Sequence, residues 1–94
     1  MRVEILSAAR AKNMTVSIEL MGLHRDIAKI EKVIMPITGK TPLRHALAYI
    51  RQLYPQLVLE ENMVLITVNH EVASLDRLLV SNDTVCILPH IGGG

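Results

Sequence analysis

The chain has 94 residues, and its ten basic and nine acidic side chains give a net charge of +1 at pH 7. This length accommodates one domain with a modest core. Half of the residues are apolar, but Phe and Trp are absent and only two tyrosines are present, so aliphatic side chains and methionine must build the core. We expect no nucleic-acid partner, because nucleic-acid recognition relies on basic clusters and aromatic stacking platforms and this composition offers few of either.

The N-terminal segment and the apolar runs argue against export and membrane insertion. No apolar run reaches the roughly 20 residues that a membrane helix needs. Glu4 interrupts the segment where a signal peptide would have its apolar centre. The single cysteine, Cys86, cannot form an internal disulfide and fits a reducing compartment. We therefore expect a cytoplasmic protein that binds no membrane, and we expect Cys86 to be structural because no neighbour in sequence activates it.

The first regular pattern is a strand over residues 15–21, TVSIELM, in which apolar and polar residues alternate. Residues 1–13 mix two periodicities and are treated as an N-terminal arm. A charged connection over residues 22–30 can support one turn of helix. In the next apolar run, KVIMPIT, Pro36 has no amide hydrogen to donate to a neighbouring strand, so this run is predicted to lie at a sheet edge or to end there.

A helix is predicted next, with Thr41 as its N-cap, Pro42 at its first position and Pro55 as its stop. Its apolar residues recur at the spacing of one helical face, and they are Leu43, Ala46, Leu47, Ile50, Leu53 and Tyr54. A helix with one apolar face needs a sheet to cover, and the flanking strands can supply it.

The C-terminal half of the chain alternates short strands with turns. Strands are predicted over residues 63–68 and 84–88, with a brief one at residues 72–73, and Asn, Ser and Asp mark the turns between them. A crossing segment offers three further side chains to the core, namely Leu75, Leu78 and Leu79. This order of elements predicts an α+β domain in which a mixed sheet carries one main helix on one face.

The last residues, LPHIGGG, join a strand that ends at Pro89 to three consecutive glycines. Such a run is rare by chance, since glycine makes up about 7% of average sequences. Glycine lacks a Cβ atom, so a glycine tail can enter a narrow channel in a partner protein. Pro89 limits the freedom of the tail where it leaves the sheet. The alternative is a tail without function, because termini fray unless they are held.

The element order and three stretches of sequence resemble the β-grasp, ubiquitin-like sulfur carriers of the MoaD and ThiS type. The resemblance is closest to the small subunit of molybdopterin synthase, the MoaD family. The stretches are VNHE at residues 68–71, LVSNDTV at 79–85 and LPHIGGG at 88–94. Arg25 also lies near the family's usual arginine after the first strand. The chain departs from the family at Asn82, where a turn glycine is usual, and at His90, where a second proline or a small residue is common.

The resemblance implies a β-grasp domain over residues 14–91, preceded by the arm of residues 1–13 and followed by a flexible glycine tail over residues 92–94. It implies a non-catalytic carrier with no permanently bound cofactor. A ubiquitin-activating-type adenylating enzyme would use ATP to activate the Gly94 carboxylate, which would then become a thiocarboxylate. This group would donate sulfur in molybdopterin (molybdenum or tungsten cofactor) biosynthesis, and the molybdopterin synthase large subunit is the second implied partner.

The candidate site is therefore the tail itself. Gly94 would carry the reactive carboxylate, and the residues expected to contact partners are Gly93, Gly92, Ile91, His90 and Pro89. The four histidines have no spacing that suits a metal, so no metal site is expected. The basic residues around the predicted helix are expected to form a solvated face, and they are Lys40, Arg44 and Arg51.

Three other functions stay open at this point. The chain could be a ThiS-like carrier for thiamine synthesis, or a ubiquitin-like modifier whose Gly94 becomes joined to a lysine. From a different class, it could be a plain β-grasp binding module with an inert tail. Removal of Gly93 and Gly94 separates the last reading from the others, because only a binding module would keep its activity.

Overall fold

The computed structural model describes residues 14–60 and 64–89, which contain seven strands and two helices. The strands are β1 (Met14–Leu20), β2 (Lys32–Ile37), β3 (Thr41–Pro42), β4 (Val64–Val68), β5 (Glu71–Val72), β6 (Leu78–Leu79) and β7 (Thr84–Pro89). The helices are α1 (Gly22–Ala28) and α2 (Leu43–Leu53). The main sheet has the order β2-β1-β7-β4-β5, and β3 pairs with β6 in a separate two-stranded ladder.

The last strand, β7, lies in the middle of the main sheet. It is parallel to β1, with Leu20 opposite Ile87, and antiparallel to β4, with Val64 opposite Pro89. The sheet is therefore mixed, as the sequence predicts. β7 has a neighbour on each side as far as Ile87, and Leu88 and Pro89 continue the pairing with β4.

The core lies between α2 and one face of the main sheet. Alternate residues of the strands point into it, and the largest fully buried side chains are Ile18, Leu20, Leu43, Leu47, Ile50, Leu79, Ile87, Val16, Val68 and Val85. The alternation predicted for residues 15–21 is confirmed, since Val16, Ile18 and Leu20 are each at most 1% exposed. The α+β architecture with a main helix on a mixed sheet is also confirmed.

The start of α2 differs from the prediction. Thr41 and Pro42 are not the N-cap and first residue of the helix, because they pair with Leu79 and Leu78 as strand β3. The helix begins at Leu43, and no side chain caps it. The crossing segment takes over this role, since the Leu43 amide donates to the Arg77 carbonyl at 2.8 Å. The Arg44 amide likewise donates to the Leu75 carbonyl at 3.1 Å.

Two leucines predicted to lie in the core are exposed, and both predictions were wrong for local reasons. Leu53 is 47% exposed because it belongs to the last turn of α2, beyond the buried Ile50. Leu78 is also 47% exposed. It precedes the buried Leu79 within β6, and consecutive residues of a strand point to opposite faces.

The short helix α1 realises the turn of helix expected over residues 22–30. It begins at Gly22, which has a φ of 55°, and ends before Lys29, which has a φ of 61°. The edge position predicted from Pro36 is confirmed, because β2 is the outer strand beside β1. Neither helix in the described part of the chain is long and apolar enough to cross a membrane.

Candidate functional site

The candidate site begins where β7 ends. Of the residues assigned to it from the sequence, Pro89 is half-buried at the end of β7. The others lie outside the described residues, and they are His90, Ile91, Gly92, Gly93 and Gly94. The structure therefore defines the base of the tail rather than the tail.

The start of α1 packs against this base. The Met21 amide donates to the Ile87 carbonyl at 3.3 Å, which ties the residue before α1 to β7. A Cβ atom added at Gly22 would lie 3.4 Å from Cγ of the Pro89 ring. Gly22 also has a φ of 55°, a conformation that glycine adopts without steric strain. The absence of a side chain at Gly22 thus suits both the turn into α1 and the approach to Pro89.

A groove of about 340 Å³ opens at the same end of β1, and its lining includes Met21. It presents mixed charge, because Glu19 and Glu31 face it together with Arg25 and Lys32. Arg25, which the resemblance to the sulfur carriers singled out, is exposed in this groove. The structure therefore places that arginine at the same end of the sheet as Pro89. A larger groove of about 450 Å³ lies elsewhere, between β2 and α2.

Exposed apolar side chains surround the start of α1. Leu23 is 62% exposed and Ile27, four residues later on the same helical face, is 39% exposed. Met21 and Ile30, which flank the helix, are each 36% exposed. Apolar groups that remain in contact with water beside a proposed reactive tail suit an interface with another protein.

The opposite end of β7 is closed by a network of hydrogen bonds. The Asn69 side-chain amide donates to Asp83 Oδ1 at 2.9 Å, and the Val80 amide donates to Asp83 Oδ2 at 2.9 Å. The Thr84 amide in turn donates to Asn69 Oδ1 at 2.9 Å. Asp83 is buried, at 8% exposure. The VNHE and SNDTV segments of the resemblance therefore meet in space and connect the β4–β5 turn to the start of β7.

The backbone of these turns takes the angles expected for asparagine. Asn69 has a φ of 52° and Asn82 a φ of 75°, both in the left-handed region. Asparagine tolerates this region better than most residues. Asn82 thus satisfies the turn where the related family has glycine. His70, with a φ of 74°, completes the first turn.

The cysteine lies on the sheet face that α2 does not cover, three residues before Pro89. Cys86 is half-buried, and burial together with the nearby Glu19 charge raises the pKa of its thiol. A hydrogen bond with Thr67 opposes this effect in part. The thiolate is the nucleophilic form, so these surroundings disfavour reactivity and support the structural role expected for Cys86.

One buried polar group was missed by the sequence analysis. His24 is only 6% exposed, and within the described residues its Nδ1 atom has no hydrogen-bond partner. From the sequence, His24 was considered only as a possible metal ligand. The available signal was the i, i+4 spacing of His24 and Ala28, which places both on the inward face of α1, where Ala28 packs against the core.

The basic residues near α2 are engaged in local contacts. Arg44 forms an exposed ion pair with Asp76, and Arg51 donates a hydrogen bond to the Leu59 carbonyl. Across residues 14–60 and 64–89, His, Cys, Asp and Glu side chains form no group of three that could hold a metal ion. Within these residues, the structure therefore adds no metal site at the base of the tail.

The fold and the terminal strand define a β-grasp, ubiquitin-like protein. Solved structures with this fold include small archaeal modifier protein 1 of Haloferax volcanii, at a TM-score of 0.73 and 18% identity over 85% of this chain and 99% of that one. A protein described as molybdopterin converting factor, subunit 1, from Pyrococcus furiosus has a TM-score of 0.71 and 20% identity over 83% and 99%. Urm1 of Trypanosoma brucei has a TM-score of 0.53 and 19% identity over 87% and 97%.

These similarities at low identity establish the fold alone. A search of curated protein sequences gave no match. The model of the ThiS family matches residues 18–94, which is most of the chain, and the chain therefore belongs to the ThiS family. The resemblance to MoaD/ThiS-type ubiquitin-like sulfur carriers is thereby confirmed.

Proposed function

We propose that this protein carries sulfur on its C-terminal carboxylate for molybdopterin biosynthesis. The observation that carries the proposal is the extent of the family match, which starts in β1 and continues through the terminal glycines to Gly94. The match thus covers both the domain and the tail, and not the β-grasp domain alone. The similarity to the Pyrococcus furiosus molybdopterin converting factor subunit supports the choice of pathway.

The chemistry requires activation by another protein. An α-carboxyl group has a pKa of about 3.5, so the Gly94 carboxylate is ionised at neutral pH and is a poor electrophile. Its oxygen would attack the α-phosphorus of ATP, releasing pyrophosphate and forming an acyl adenylate. Hydrosulfide would then attack the acyl carbon, form a C–S bond and release AMP. The product is a thiocarboxylate in which sulfur replaces one oxygen of Gly94.

The domain would present the tail and leave the chemistry to its partners. β7 is paired on both sides as far as Ile87, and Pro89 lies beside Gly22 and pairs with Val64 of β4. A base that is fixed before binding reduces the conformational entropy lost when a partner takes up the tail. In the described residues, Cys86 is the one thiol, and its raised pKa makes it a poor nucleophile. The protein would therefore resemble a group-carrying cofactor more than an enzyme.

Two partners follow from this scheme. A ubiquitin-activating-type enzyme would bind the tail with ATP, and a molybdopterin synthase large subunit would receive the sulfur. The exposed apolar side chains of Met21, Leu23 and Ile27 and the mixed-charge groove with Arg25 lie beside the base of the tail. These exposed groups would first contact the activating enzyme and then, after its release, the large subunit.

A protein modifier is the second candidate, and the fold neighbours favour it. Three of the matched structures are named as small archaeal modifier protein 1, two from Haloferax volcanii and one from Methanosarcina acetivorans. In this interpretation the activated Gly94 carbonyl would form an amide with a lysine of another protein.

A third candidate, a carrier for thiamine synthesis, shares the thiocarboxylate and differs in the protein that receives sulfur. Co-purification of a thiazole synthase instead of a molybdopterin synthase large subunit would select it.

Intact-mass spectrometry tests the proposal. The full chain is incubated with its cognate adenylating enzyme, ATP and sulfide, and its mass should increase by the difference between sulfur and oxygen. A variant that lacks Gly93 and Gly94 serves as the control and should show no change while keeping its circular dichroism spectrum. If the complete chain keeps its mass while the enzyme adenylates another carrier, the sulfur-carrier function is refuted.

A further inference from the structure

The buried histidine of α1 is not used by the proposed function, and its environment is unusual. His24 is only 6% exposed, although histidine is commonly found at least partly in contact with water. One ring nitrogen is engaged with the backbone carbonyl of Val58. The other ring nitrogen, Nδ1, is buried and has no hydrogen-bond partner among the described residues.

This arrangement accepts a neutral imidazole and disfavours an imidazolium. An imidazolium carries a hydrogen on both ring nitrogens, so its Nδ1 hydrogen would find no acceptor among the described residues, and its positive charge would be buried. Burial already lowers the pKa of His24 from its ordinary value, and the hydrogen bond to Val58 opposes this only in part. Lowering the pH therefore stabilises any state in which the His24 ring is exposed to solvent and can be protonated.

Within residues 14–60 and 64–89, no neighbouring charge contributes to the shift of the His24 pKa. Arg25 and Asp26 on α1 and Lys29 after it are exposed, as is Glu60 beyond the loop that contains Val58. The ionisable side chain of β7 is Cys86, which lies beside Glu19 and Thr67 on the uncovered sheet face. The shift of the His24 pKa has burial as its main cause and no charged neighbour among its causes.

The helix that carries His24 is also the element that contacts the base of the tail. Gly22 lies two residues before His24, and a Cβ atom added at Gly22 would lie 3.4 Å from Cγ of the Pro89 ring. The Met21 amide joins the same segment to β7 through Ile87. α1 spans only seven residues and has no side-chain cap, so few interactions besides its buried face hold it in place. Displacement of His24 would therefore move the segment that contacts Pro89.

We propose that His24 is a pH-sensitive contact that controls how α1 holds the base of the tail. With a neutral ring, α1 is closed on the Val58 loop and on β7. When the ring takes up a proton, α1 opens, the Met21–Ile87 hydrogen bond breaks, and Pro89 loses its contact with Gly22. This regulation rests on the proposed function because it matters only if the tail is the reactive group, but the opening itself can be measured without any partner.

Hydrogen exchange of the full chain, followed by NMR between about pH 7.5 and about pH 5, tests the proposal. Protection factors, which correct for the intrinsic effect of pH, should fall for the amides of Met21 and Lys29. By linkage the fall should reach up to about tenfold per pH unit between the His24 pKa values of the closed and open forms. The Asn69 amide, which donates to Thr84 at the far end of β7, should keep its protection and is the internal control.

Two variants make the outcome decisive. His24→Gln removes the titrating ring and should abolish the pH dependence at Met21, whereas His45→Gln, at an exposed position on α2, should leave it as in the wild type. If His24→Gln does not fold, the wild type alone decides, because the loss of protection must follow the titration of the His24 ring resonances. Equal protection of Met21 across the pH range, or a pH dependence that survives in His24→Gln, would overturn the proposal. Failure of thiocarboxylate formation would leave this result unchanged, so the two proposals fail independently.

Discussion

The two ends of β7 are stabilised in different ways. At its start, Asp83 and Asn69 make three hydrogen bonds of 2.9 Å that join two turns to the strand. At its end, Pro89 has no amide hydrogen to donate, and the adjoining helix α1 contains a buried histidine whose Nδ1 lacks a partner within the described residues. The far end is thus closed by satisfied polar groups, whereas the tail end depends on packing. In the proposed function the tail enters partner proteins, and the end of β7 beside the tail is the one that the fewest polar contacts hold in place.

The largest loss of stability is expected from a substitution at the start of β7. Replacing Asp83 with alanine removes a buried acceptor of two hydrogen bonds and leaves the Val80 amide and the Asn69 side chain unpaired. Loss of buried charged acceptors of this kind costs about 2–3 kcal/mol of unfolding free energy, which urea denaturation measures. Asp76→Ala is the matched control, because its pair with Arg44 is exposed and should contribute less than about 1 kcal/mol. Equal losses in the two variants would contradict a stabilising role for the network.

A smaller effect is expected at the tail end from Gly22→Ala. The φ of 55° disfavours alanine by about 1–2 kcal/mol, and the new Cβ would meet the Pro89 ring at 3.4 Å. The amide resonances of Ile87 and Leu88 should shift because the base of the tail is displaced. Gly22→Asn separates the two causes, since asparagine tolerates this backbone conformation but places a larger group against Pro89. A milder loss of stability in Gly22→Asn would assign the cost to the backbone, and a greater loss would assign it to the contact.

The smallest effect is the pH dependence of global stability. Because burial lowers the pKa of His24 in the folded protein, the unfolded chain binds a proton more readily near its ordinary pKa of 6.5. Unfolding free energy should therefore decrease as the pH falls through that value and level off below the lowered pKa of the folded state. Urea titrations of the wild type and His24→Gln at about pH 7.5 and about pH 5.5 isolate this contribution. If the unfolding free energies of the wild type and His24→Gln differ by the same amount at both pH values, His24 does not cause the pH dependence.

Much of the domain could be predicted from the sequence because its strands have one buried and one solvated face. Such strands can be recognised because apolar and polar residues alternate along them, as they do in β1 with Val16, Ile18 and Leu20 on the buried face. The start of α2 was misplaced because Thr41 and Pro42 have ordinary capping chemistry, yet pairing with Leu78 and Leu79 decides their conformation. That pairing joins residues far apart in the chain, and local patterns do not contain it.

The candidate site was also predicted only in part from the sequence. The terminal glycines and Pro89 are visible as a motif because their positions in the sequence are part of the signal. The roles of Asp83 and His24 could not be seen, because each depends on a partner in another segment, Asn69 in one case and Val58 in the other. The sequence shows which polar groups a residue carries, but only the folded structure shows whether the residue is buried and which groups it contacts.

The central claim concerns the chemical state of Gly94, and the most direct measurement is the mass of the C-terminal peptide from the protein isolated from its own cells. The account predicts a population in which one terminal oxygen is replaced by sulfur, and this population should disappear when the adenylating enzyme is deleted. A free carboxylate under all conditions, or a peptide joined through Gly94 to a lysine of another protein without any thiocarboxylate, would contradict it.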